Sequence, residues 1–224
     1  MCIRSYNMWS LLWFFILLPK GIEAQVTSQE LLKTAGENVT LDCPQLEDSD
    51  QFNSIIWYKN LTPFIKIGKN QHVEYTPSSL AQKVTVTKSH QIILTSLEFV
   101  DSGVYICQMY VLKDLNWEPR KTSHNLLVKD VPSAPGKPVV KNVKSRQAEI
   151  TWLPASPNNS PVLYYNVSIR ECETSNTRNE ATWNNSTMIT VQGLLPYTCY
   201  IATVAAISVV GQGMSSEASN QFVT

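Results

Sequence analysis

Apolar and polar residues alternate in short segments through the first half of the chain. Residues 38–43 place Val39, Leu41 and Cys43 on one face. The same alternation recurs in residues 54–59, 83–88, 91–97, 104–109 and 125–129. A repeat of two residues is that of a β-strand, in which successive side chains point to opposite faces. Short strands at this spacing predict an antiparallel sandwich of two sheets.

The second half of the chain repeats this pattern after a proline-rich interruption. Its predicted inward positions are Ala148, Ile150, Trp152, Tyr165, Val167, Ile169, Ile189, Val191, Leu194, Val204 and Ala206. Residues 131–138 carry three prolines, and proline stiffens a joint because it fixes the backbone and removes a donor. The pattern predicts an all-β chain of two tandem antiparallel β-sandwiches, residues 25–130 and 139–224, joined by this linker.

The first 24 residues differ from both halves. One basic residue, Arg4, precedes an apolar run over residues 8–18, which Pro19 ends. At about 1.5 Å per helical residue, this run is too short to cross a hydrocarbon core of about 30 Å. We interpret residues 1–24 as a secretory signal peptide cleaved after Ala24, with an uncleaved anchor as the alternative. The product is expected to be secreted and extracellular, or to be a shortened form of a cell-surface receptor.

Composition and charge exclude several classes of function. Lys plus Arg and Asp plus Glu both number 18, so the formal net charge is +0 and no basic excess favours nucleic-acid binding. His72, His90 and His124 do not lie near cysteines at metal-ligand spacing, and no nucleophile elbow accompanies them. We therefore expect no enzyme, no metal, no cofactor and no small-molecule substrate. Hydrophobic residues at 43% and charged residues at 16% indicate packed cores.

Cysteine and glycosylation signals agree on an oxidising compartment. Cys2 lies in the signal segment, and the four remaining cysteines allow three disulfide pairings. Sequons of the form Asn-X-Ser/Thr begin at Asn38, Asn60, Asn158, Asn166, Asn184 and Asn185. Because Pro63 follows one sequon and the last two overlap, we expect glycosylation at some of the six rather than at all of them.

The first half carries a motif in which each residue has its own physical role. Trp57 follows Cys43 by fourteen residues, and the segment Asp-Ser-Gly-Val-Tyr-Ile-Cys runs from Asp101 to Cys107. This set resembles an immunoglobulin-superfamily domain of a variable-like or intermediate type. The resemblance implies a bridge between Cys43 and Cys107, with Trp57 packed against it. It also implies that the hydroxyl of Tyr105 bonds back to the backbone in a tyrosine corner.

The second half resembles a fibronectin type III domain. The residues that carry the resemblance are Trp152 shortly before a proline, the Tyr-X-Val pair at 165–167, and Leu-X-Pro-X-Thr-X-Tyr ending at Tyr200. The resemblance implies that Tyr200 is a corner tyrosine. It also makes the strands of Cys172 and Cys199 neighbours, and by parity both cysteines then point outward. A bridge between them on the solvent face of one sheet follows as an expectation.

The segment 110–120, between the last two predicted strands of the first half, is the candidate partner contact. It appears as a long loop and carries Tyr110, Leu115, Trp117 and Arg120. Tyrosine, tryptophan and arginine dominate the energetics of protein interfaces. The alternative is that Trp117 folds back onto the sandwich or the joint as part of a satellite core.

The two resemblances together imply a function without chemistry. Both domains are similar to those of cell-adhesion molecules and cell-surface receptors, which recognise other proteins through rigid sandwiches. We expect an extracellular or cell-surface protein as the partner, bound through the first domain, and no oligomeric state is predicted. The alternatives are a secreted decoy that sequesters a cytokine or other soluble ligand, and a matrix-associated structural protein. Domains of these types are shared scaffolds, so the fold alone does not identify a ligand.

Overall fold

Nearly all regular structure is β-strand in the part of the chain that the computed structural model describes, residues 27–47, 50–174 and 176–224. The predicted signal segment, residues 1–24, lies outside the described residues. The first-half strands are β1 (Thr27–Thr34), β2 (Val39–Leu41), β3 (Phe52–Lys59), β4 (Thr62–Gly68), β5 (Val73–Tyr75), β6 (Val84–Val86), β7 (Ile92–Leu94), β8 (Gly103–Lys113) and β9 (Asn116–Lys129). Those of the second half are β10 (Val139–Lys144), β11 (Gln147–Thr151), β12 (Tyr164–Glu171), β13 (Thr177–Ala181), β14 (Met188–Gln192), β15 (Cys199–Ile207) and β16 (Phe222–Val223).

The helical content of the described residues is limited to two short 3-10 helices, Leu80–Lys83 and Phe99–Asp101. No helix within these ranges is long and apolar enough to cross a membrane. The all-β prediction is therefore confirmed.

The first-half strands form a six-stranded sheet, in the order β1-β9-β8-β3-β4-β5, and a three-stranded sheet, β2-β7-β6. One strand pair departs from the antiparallel arrangement. β1 runs parallel to the last part of β9, with Thr27 opposite Thr122 and Thr34 opposite Lys129. The other strand pairs of this half are antiparallel. β1 closes the edge of the large sheet beside the strand that leads into the linker.

The core of the first sandwich consists of every second residue along its strands. The alternation of apolar and polar residues in the sequence therefore identified the core positions. Ile55 and Trp57 of β3 are fully buried, as are Tyr105, Cys107 and Met109 of β8. Burying a large apolar side chain contributes roughly 1.5–3 kcal/mol. These few positions therefore account for a large share of the stability of the first sandwich.

The segment 110–120 is not a loop but the end of a long β-hairpin. β8 and β9 stay paired as far as Lys113 and Asn116, so the turn consists of Asp114 and Leu115 alone. Both turn residues have positive φ, 47° and 66°, as a two-residue hairpin turn of the mirror-image type requires. Asp-Leu lacks the glycine that usually marks such a turn, so the sequence did not reveal it.

The second sandwich pairs the sheet β10-β11-β14 with the sheet β13-β12-β15-β16. Its core contains Trp152 and Tyr165, whose rings meet edge to face with centroids 5.4 Å apart. The backbone N–H of Ala155 donates to the hydroxyl of Tyr165 at 3.2 Å. The predicted inward positions Val167, Val191, Val204 and Ala206 are fully buried.

The last strand has only two residues, and serine side chains complete the edge of its sheet. The Oγ of Ser216 accepts a hydrogen bond from the N–H of Val204 at 3.0 Å, and the Oγ of Ser219 accepts one from Ala202 at 2.9 Å. The N–H groups of the two serines donate to the carbonyls of the same two residues, both at 2.8 Å. The edge of β15 is thus satisfied here without a regular partner strand.

The proline-rich linker is bonded to the second sandwich. The N–H of Asp130 donates to the carbonyl of Asn158 at 3.0 Å, and Nδ2 of Asn158 donates to the carbonyl of Val131 at 2.9 Å. At Gly213 a Cβ atom would lie 2.1 Å from the carbonyl oxygen of Pro132. Because backbone meets backbone there, only glycine fits that position.

One side chain of the second sandwich reaches the first. Nδ2 of Asn159 donates to Oγ of Ser102 at 3.0 Å and to the carbonyl of Val128 at 2.8 Å. The N–H of Val128 also donates to Oγ of Ser102, at 2.9 Å. The joint is therefore held by a small polar network in addition to the linker itself.

Candidate protein-contact surface

The outer face of the six-stranded sheet carries a continuous apolar strip. Because the inward positions of β8 are Tyr105, Cys107, Met109 and Val111, the residues between them point away from the core. Residues paired across antiparallel strands share a face, which adds their partners on β3 and β9. We call the uncharged residues of this set from Ile106 to the hairpin, without Ser123, the outer face: Ile56, Tyr58, Ile106, Gln108, Tyr110, Leu112, Trp117 and Pro119.

None of these eight residues is charged, but the same pairing places two lysines on this side of the sheet. The internal hydrogen bond of the outer face runs from Nε2 of Gln108 to the hydroxyl of Tyr110, which fixes the orientation of both groups. Lys121 lies opposite Gln108, and Lys66 lies opposite Ile56, both exposed. An apolar centre with charges around it is the arrangement found in protein interfaces.

Trp117 lies on the outer face, opposite Leu112, and is 45% exposed. It is not among the residues that pack into the first core. The alternative that Trp117 belongs to a satellite core therefore does not describe its position. Leu115 stands at the hairpin tip and is 92% exposed, so two large apolar side chains extend the outer face beyond the core.

Arg120 lies apart from Tyr110 and Trp117. It pairs with Met109, an inward residue, and therefore points to the other side of the hairpin. Its Nη1 and Nη2 donate to the two carboxylate oxygens of Asp50 at 2.7 and 3.4 Å. A hydrogen bond from the N–H of Glu47, and then Arg120, hold the pKa of Asp50 below its ordinary value. Arg120 fastens the hairpin to the adjacent loop, and we leave it out of the outer face.

The bridge and tryptophan of the first core support the outer face from beneath. Cys43 and Cys107 are joined with a Cα–Cα distance of 5.4 Å, as the sequence predicted. Nε1 of Trp57 donates to the carbonyl of His90 at 3.1 Å, and its ring stacks on His124 with centroids 6.3 Å apart. Burial lowers the pKa of His90. Trp57 thus connects the large sheet to the opposite side of the sandwich.

The turn before β8 is fixed by Tyr105 and Asp101. The hydroxyl of Tyr105 donates to the carbonyl of Asp101 at 2.7 Å, which is the predicted tyrosine corner. Burial raises the pKa of Tyr105. The carboxylate of Asp101 accepts from the N–H of Glu98 at 2.9 Å and pairs with Lys83 at 3.2 Å. This local network positions the strand from which half of the outer face projects.

The signature residues of the second sandwich are also structural. The hydroxyl of Tyr200 accepts a hydrogen bond from the N–H of Leu195 at 3.0 Å. Cys172, directly after β12, and Cys199, the first residue of the neighbouring β15, are joined and half-buried. Trp152 is buried, and its Nε1 finds no hydrogen-bond partner among the described residues.

The six sequon asparagines lie in different surroundings. Asn38 is exposed, and its Oδ1 accepts from the N–H of Ser96 at 3.0 Å. Asn60 has φ of 47° in the turn after β3, with Oδ1 bonded to the N–H of Val104 at 2.9 Å. Asn158 is half-buried at the joint, and Asn166 lies half-buried on β12. Asn184 and Asn185 occupy the exposed segment between β13 and β14.

Several members of the outer face escaped the sequence analysis, which followed only the inward positions. Ile56 and Tyr58 flank Trp57, and Ile106 precedes Cys107. The available signal was that these strands carry apolar residues at outward as well as inward positions. A strand with one face in water usually alternates apolar and polar residues. Over the residues that the structure covers, no group of three or more His, Cys, Asp or Glu side chains is placed to hold a metal.

Comparisons with known proteins identify both halves. The family model of the immunoglobulin V-set domain matches residues 26–129, and that of the fibronectin type III domain matches residues 133–222. Among solved structures, the amphioxus IgVJ-C2 molecule is similar over 83% of this chain and 97% of its own, at 15% identity and a TM-score of 0.49.

Similar curated proteins are much longer than this chain. The receptor-type tyrosine-protein phosphatase mosPTP-1 of Aedes aegypti is 27% identical over 199 residues, 85% of this chain and 14% of its own length. Contactin-5 of Rattus norvegicus is 26% identical over 211 residues, 92% of this chain and 18% of its own length. Protein sidekick-2 of Mus musculus is 28% identical over 157 residues, covering 66% and 7% respectively. The chain thus spans less than a fifth of each relative.

Proposed function

Because this chain is an immunoglobulin V-set domain followed by a fibronectin type III domain, we propose that it is an extracellular protein-binding module of the cell-adhesion or receptor type. The contact is the outer face of the first domain. The observation that carries this proposal is an apolar strip on paired strands, half-buried along most of its length, with Tyr110 in its middle and Leu112 and the exposed Trp117 towards the hairpin turn. A similar receptor-type protein and the matches to contactin-5 and sidekick-2 support it.

The physical basis is burial of apolar area without reorganisation. Tyr58, Tyr110 and Trp117 are large side chains with few rotatable bonds, so they lose little entropy when a partner covers them. Their backbone is held by paired strands, and the hydroxyl of Tyr110 is already bonded to Gln108. Preorganisation of this kind reduces the free-energy cost of association.

The route outside the cell is part of the proposal. We propose that residues 1–24 direct the chain into the secretory pathway and that it is glycosylated there. A secreted decoy uses the same outer face for a soluble ligand, and a matrix protein uses it for a fixed one. The nature of the ligand, rather than the surface, distinguishes these alternatives.

A binding experiment on the secreted full chain tests the proposal. A multimer of the chain is applied to cells and to arrayed extracellular proteins, beside the double variant Tyr110→Ala with Trp117→Ala. The matched control is Tyr197→Ala, which removes an aromatic side chain that is 94% exposed on the second domain. Since interface aromatics contribute about 2 kcal/mol or more, we expect at least about a tenfold loss for the double variant.

Equal binding by the double variant and the control would contradict the outer face as the contact. Binding to a soluble factor, with none to cells, favours the decoy. Retention in matrix extracts without a discrete receptor favours the structural protein.

A further inference from the structure

The segment between β13 and β14, residues 182–187, exposes a tryptophan in an unusual backbone conformation. Trp183 is 93% exposed, the most exposed indole among the described residues. Its φ is 62°, a region in which bulky residues are uncommon and which costs about 1 kcal/mol or more. The indole surface is therefore open to any group that can reach it.

The segment is pinned on both sides, so this exposure does not come from a frayed end. The hydroxyl of Thr182 accepts from the N–H of Tyr165 at 3.0 Å and donates to the carbonyl of Asn184. Beyond the bend, the N–H of Trp152 donates to the carbonyl of Thr187 at 3.1 Å. The backbone around Trp183 is therefore set by the sandwich on which it stands.

The two overlapping sequons that follow Trp183 are not equivalent. Oδ1 of Asn184 accepts a hydrogen bond from the N–H of Ser186 at 2.9 Å, so this side chain is folded back onto the turn. Asn185 is exposed, and its side chain makes no hydrogen bond to any described residue. The side chain of Asn185 is thus the less constrained of the two, and it lies two residues after Trp183.

We propose that Asn185 carries the N-linked glycan of this pair and that the first N-acetylglucosamine lies against the indole face of Trp183. Attachment joins Nδ2 of Asn185 to the anomeric carbon of a sugar from a lipid-linked oligosaccharide. The amide loses one proton, and the lipid pyrophosphate leaves. This inference rests on the secretory route in the proposed function, but not on the outer face.

The chemistry of the two groups favours their contact. One face of a pyranose ring presents mainly C–H groups, whose positive hydrogens are attracted to the negative face of an aromatic ring. Trp183 and Asn185 are two residues apart in a tight, pinned segment, and the sugar is tethered, so little further entropy is lost on contact. Burial of indole and sugar C–H surface adds a hydrophobic contribution. A sugar on Asn185 is thus placed to cover indole surface that is otherwise in water.

Two other sequon asparagines also follow an aromatic residue by two positions, Asn60 after Tyr58 and Asn166 after Tyr164. Asn158 donates to the linker carbonyl of Val131, and Oδ1 of Asn60 is bonded to the N–H of Val104. Tyr58 is half-buried and Tyr164 is 37% exposed, so neither ring is as open as the indole of Trp183. We therefore expect the contact between sugar and aromatic ring to be the most extensive at Asn185.

Glycopeptide mass spectrometry on the secreted full chain tests the acceptor. Glycans are trimmed to a single N-acetylglucosamine, and site occupancy is compared for the wild type, Asn185→Gln and the matched variant Asn184→Gln. We expect Asn185→Gln to remove most of the sugar from this peptide and Asn184→Gln to leave occupancy unchanged. Sugar on Asn184 in place of Asn185 would overturn the inference.

Nuclear magnetic resonance of the trimmed protein tests the contact. Sugar protons above an indole face shift upfield, and we expect this shift in the wild type and its loss in Trp183→Leu, which keeps an apolar side chain without the ring. Tyr197→Ala, distant in sequence, should leave the shift intact. A glycan on Asn185 whose protons have ordinary shifts would refute the stacked arrangement.

The failure of this inference is distinguishable from that of the proposed function. Sugar at other sequons but not at Asn185 overturns the inference alone. Absence of sugar from every sequon of the recovered chain overturns both the inference and the secretory route, whereas binding through the outer face is measured independently.

Discussion

The two sandwiches use the same covalent bond in different places. In the first, the bond between Cys43 and Cys107 crosses the core, from the chain beyond β2 to β8 of the facing sheet. In the second, Cys172 and Cys199 join neighbouring strands within one sheet, and both are half-buried. The Cα–Cα distance is 5.4 Å in each. The two bridges therefore span the same backbone distance and differ in their position in the fold.

Loop closure alone barely distinguishes the two bridges. Their sequence separations are 64 and 27 residues, for which the loop-entropy argument gives about 4 and about 3.5 kcal/mol. Burial provides the larger difference, because removing the first bridge also removes packed atoms from the core. The second core instead relies on the pair of Trp152 and Tyr165. We expect the first domain to depend on its bridge far more than the second.

The largest expected effect comes from removing each bridge. Replacing Cys43 and Cys107 by alanine should abolish recovery of folded chain from the medium. Replacing Cys172 and Cys199 by alanine should lower stability by about 3 kcal/mol while the chain is still secreted. Secreted yield and denaturant unfolding measure both variants. Equal losses of secreted yield and stability in the two double variants would contradict the claim that burial makes the first bridge more important.

The two core tryptophans provide the next contrast. Nε1 of Trp57 donates to the carbonyl of His90, whereas Nε1 of Trp152 is buried and has no hydrogen-bond partner among the described residues. Trp57→Phe therefore leaves a buried carbonyl unpaired, and we expect it to be about 1–2 kcal/mol more destabilising than Trp152→Phe. Denaturant unfolding of each variant, followed by circular dichroism, provides the comparison. A Trp152→Phe variant that loses as much as Trp57→Phe would contradict it.

The two corner tyrosines should differ by less. The hydroxyl of Tyr105 donates to Asp101 within the core, while that of Tyr200 accepts from the N–H of Leu195, an exposed residue. Water can replace the second bond more easily than the first. We expect Tyr105→Phe to lower stability by about 1.5 kcal/mol and Tyr200→Phe by about 0.5 kcal/mol. The reverse order in unfolding experiments would show that exposure of Leu195 does not matter.

The smallest expected effect is a pH dependence confined to the first domain, which contains all three histidines. Burial holds the pKa of His90 below its ordinary value of 6.5. As the pH falls below about 6.5, the unfolded state therefore binds a proton that the folded state does not, and stability decreases. Thermal unfolding between about pH 7.5 and about pH 5 should move the first transition only. His90→Gln should make the stability of the first domain less dependent on pH. An unchanged pH dependence in that variant would show that another group causes it.

What the sequence predicted depends on how local each signal is. Cys43, Trp57, Tyr105 and Cys107 were identified because each belongs to a short motif with a fixed spacing. The partners of Arg120 were not, because Asp50 lies seventy residues away and only the folded hairpin brings them together. Tertiary contacts of this kind leave no trace in a local pattern.

The surface was harder to predict than the core. The hairpin turn at Asp114 and Leu115 lacks glycine, so residues 110–120 resembled a loop, although cross-strand pairing extends through them. The outer face was missed because Ile56 and Ile106 sit at positions that an alternating pattern reserves for polar residues. The exposure of Trp183 likewise depends on a bend that Thr182 and Asn184 stabilise by side-chain contacts.

A glycan placed on the outer face tests the central claim most directly. Lys121→Asn creates a sequon at residues 121–123 beside Gln108, and the matched variant Thr87→Asn creates one at residues 87–89, beyond β6 of the opposite sheet. Both variants are secreted and checked for occupancy, and their binding is measured against the same partner. The account predicts that the glycan at residue 121 abolishes binding while that at residue 87 leaves it unchanged. Binding that survives the first glycan, or is lost only with the second, would contradict recognition through the outer face.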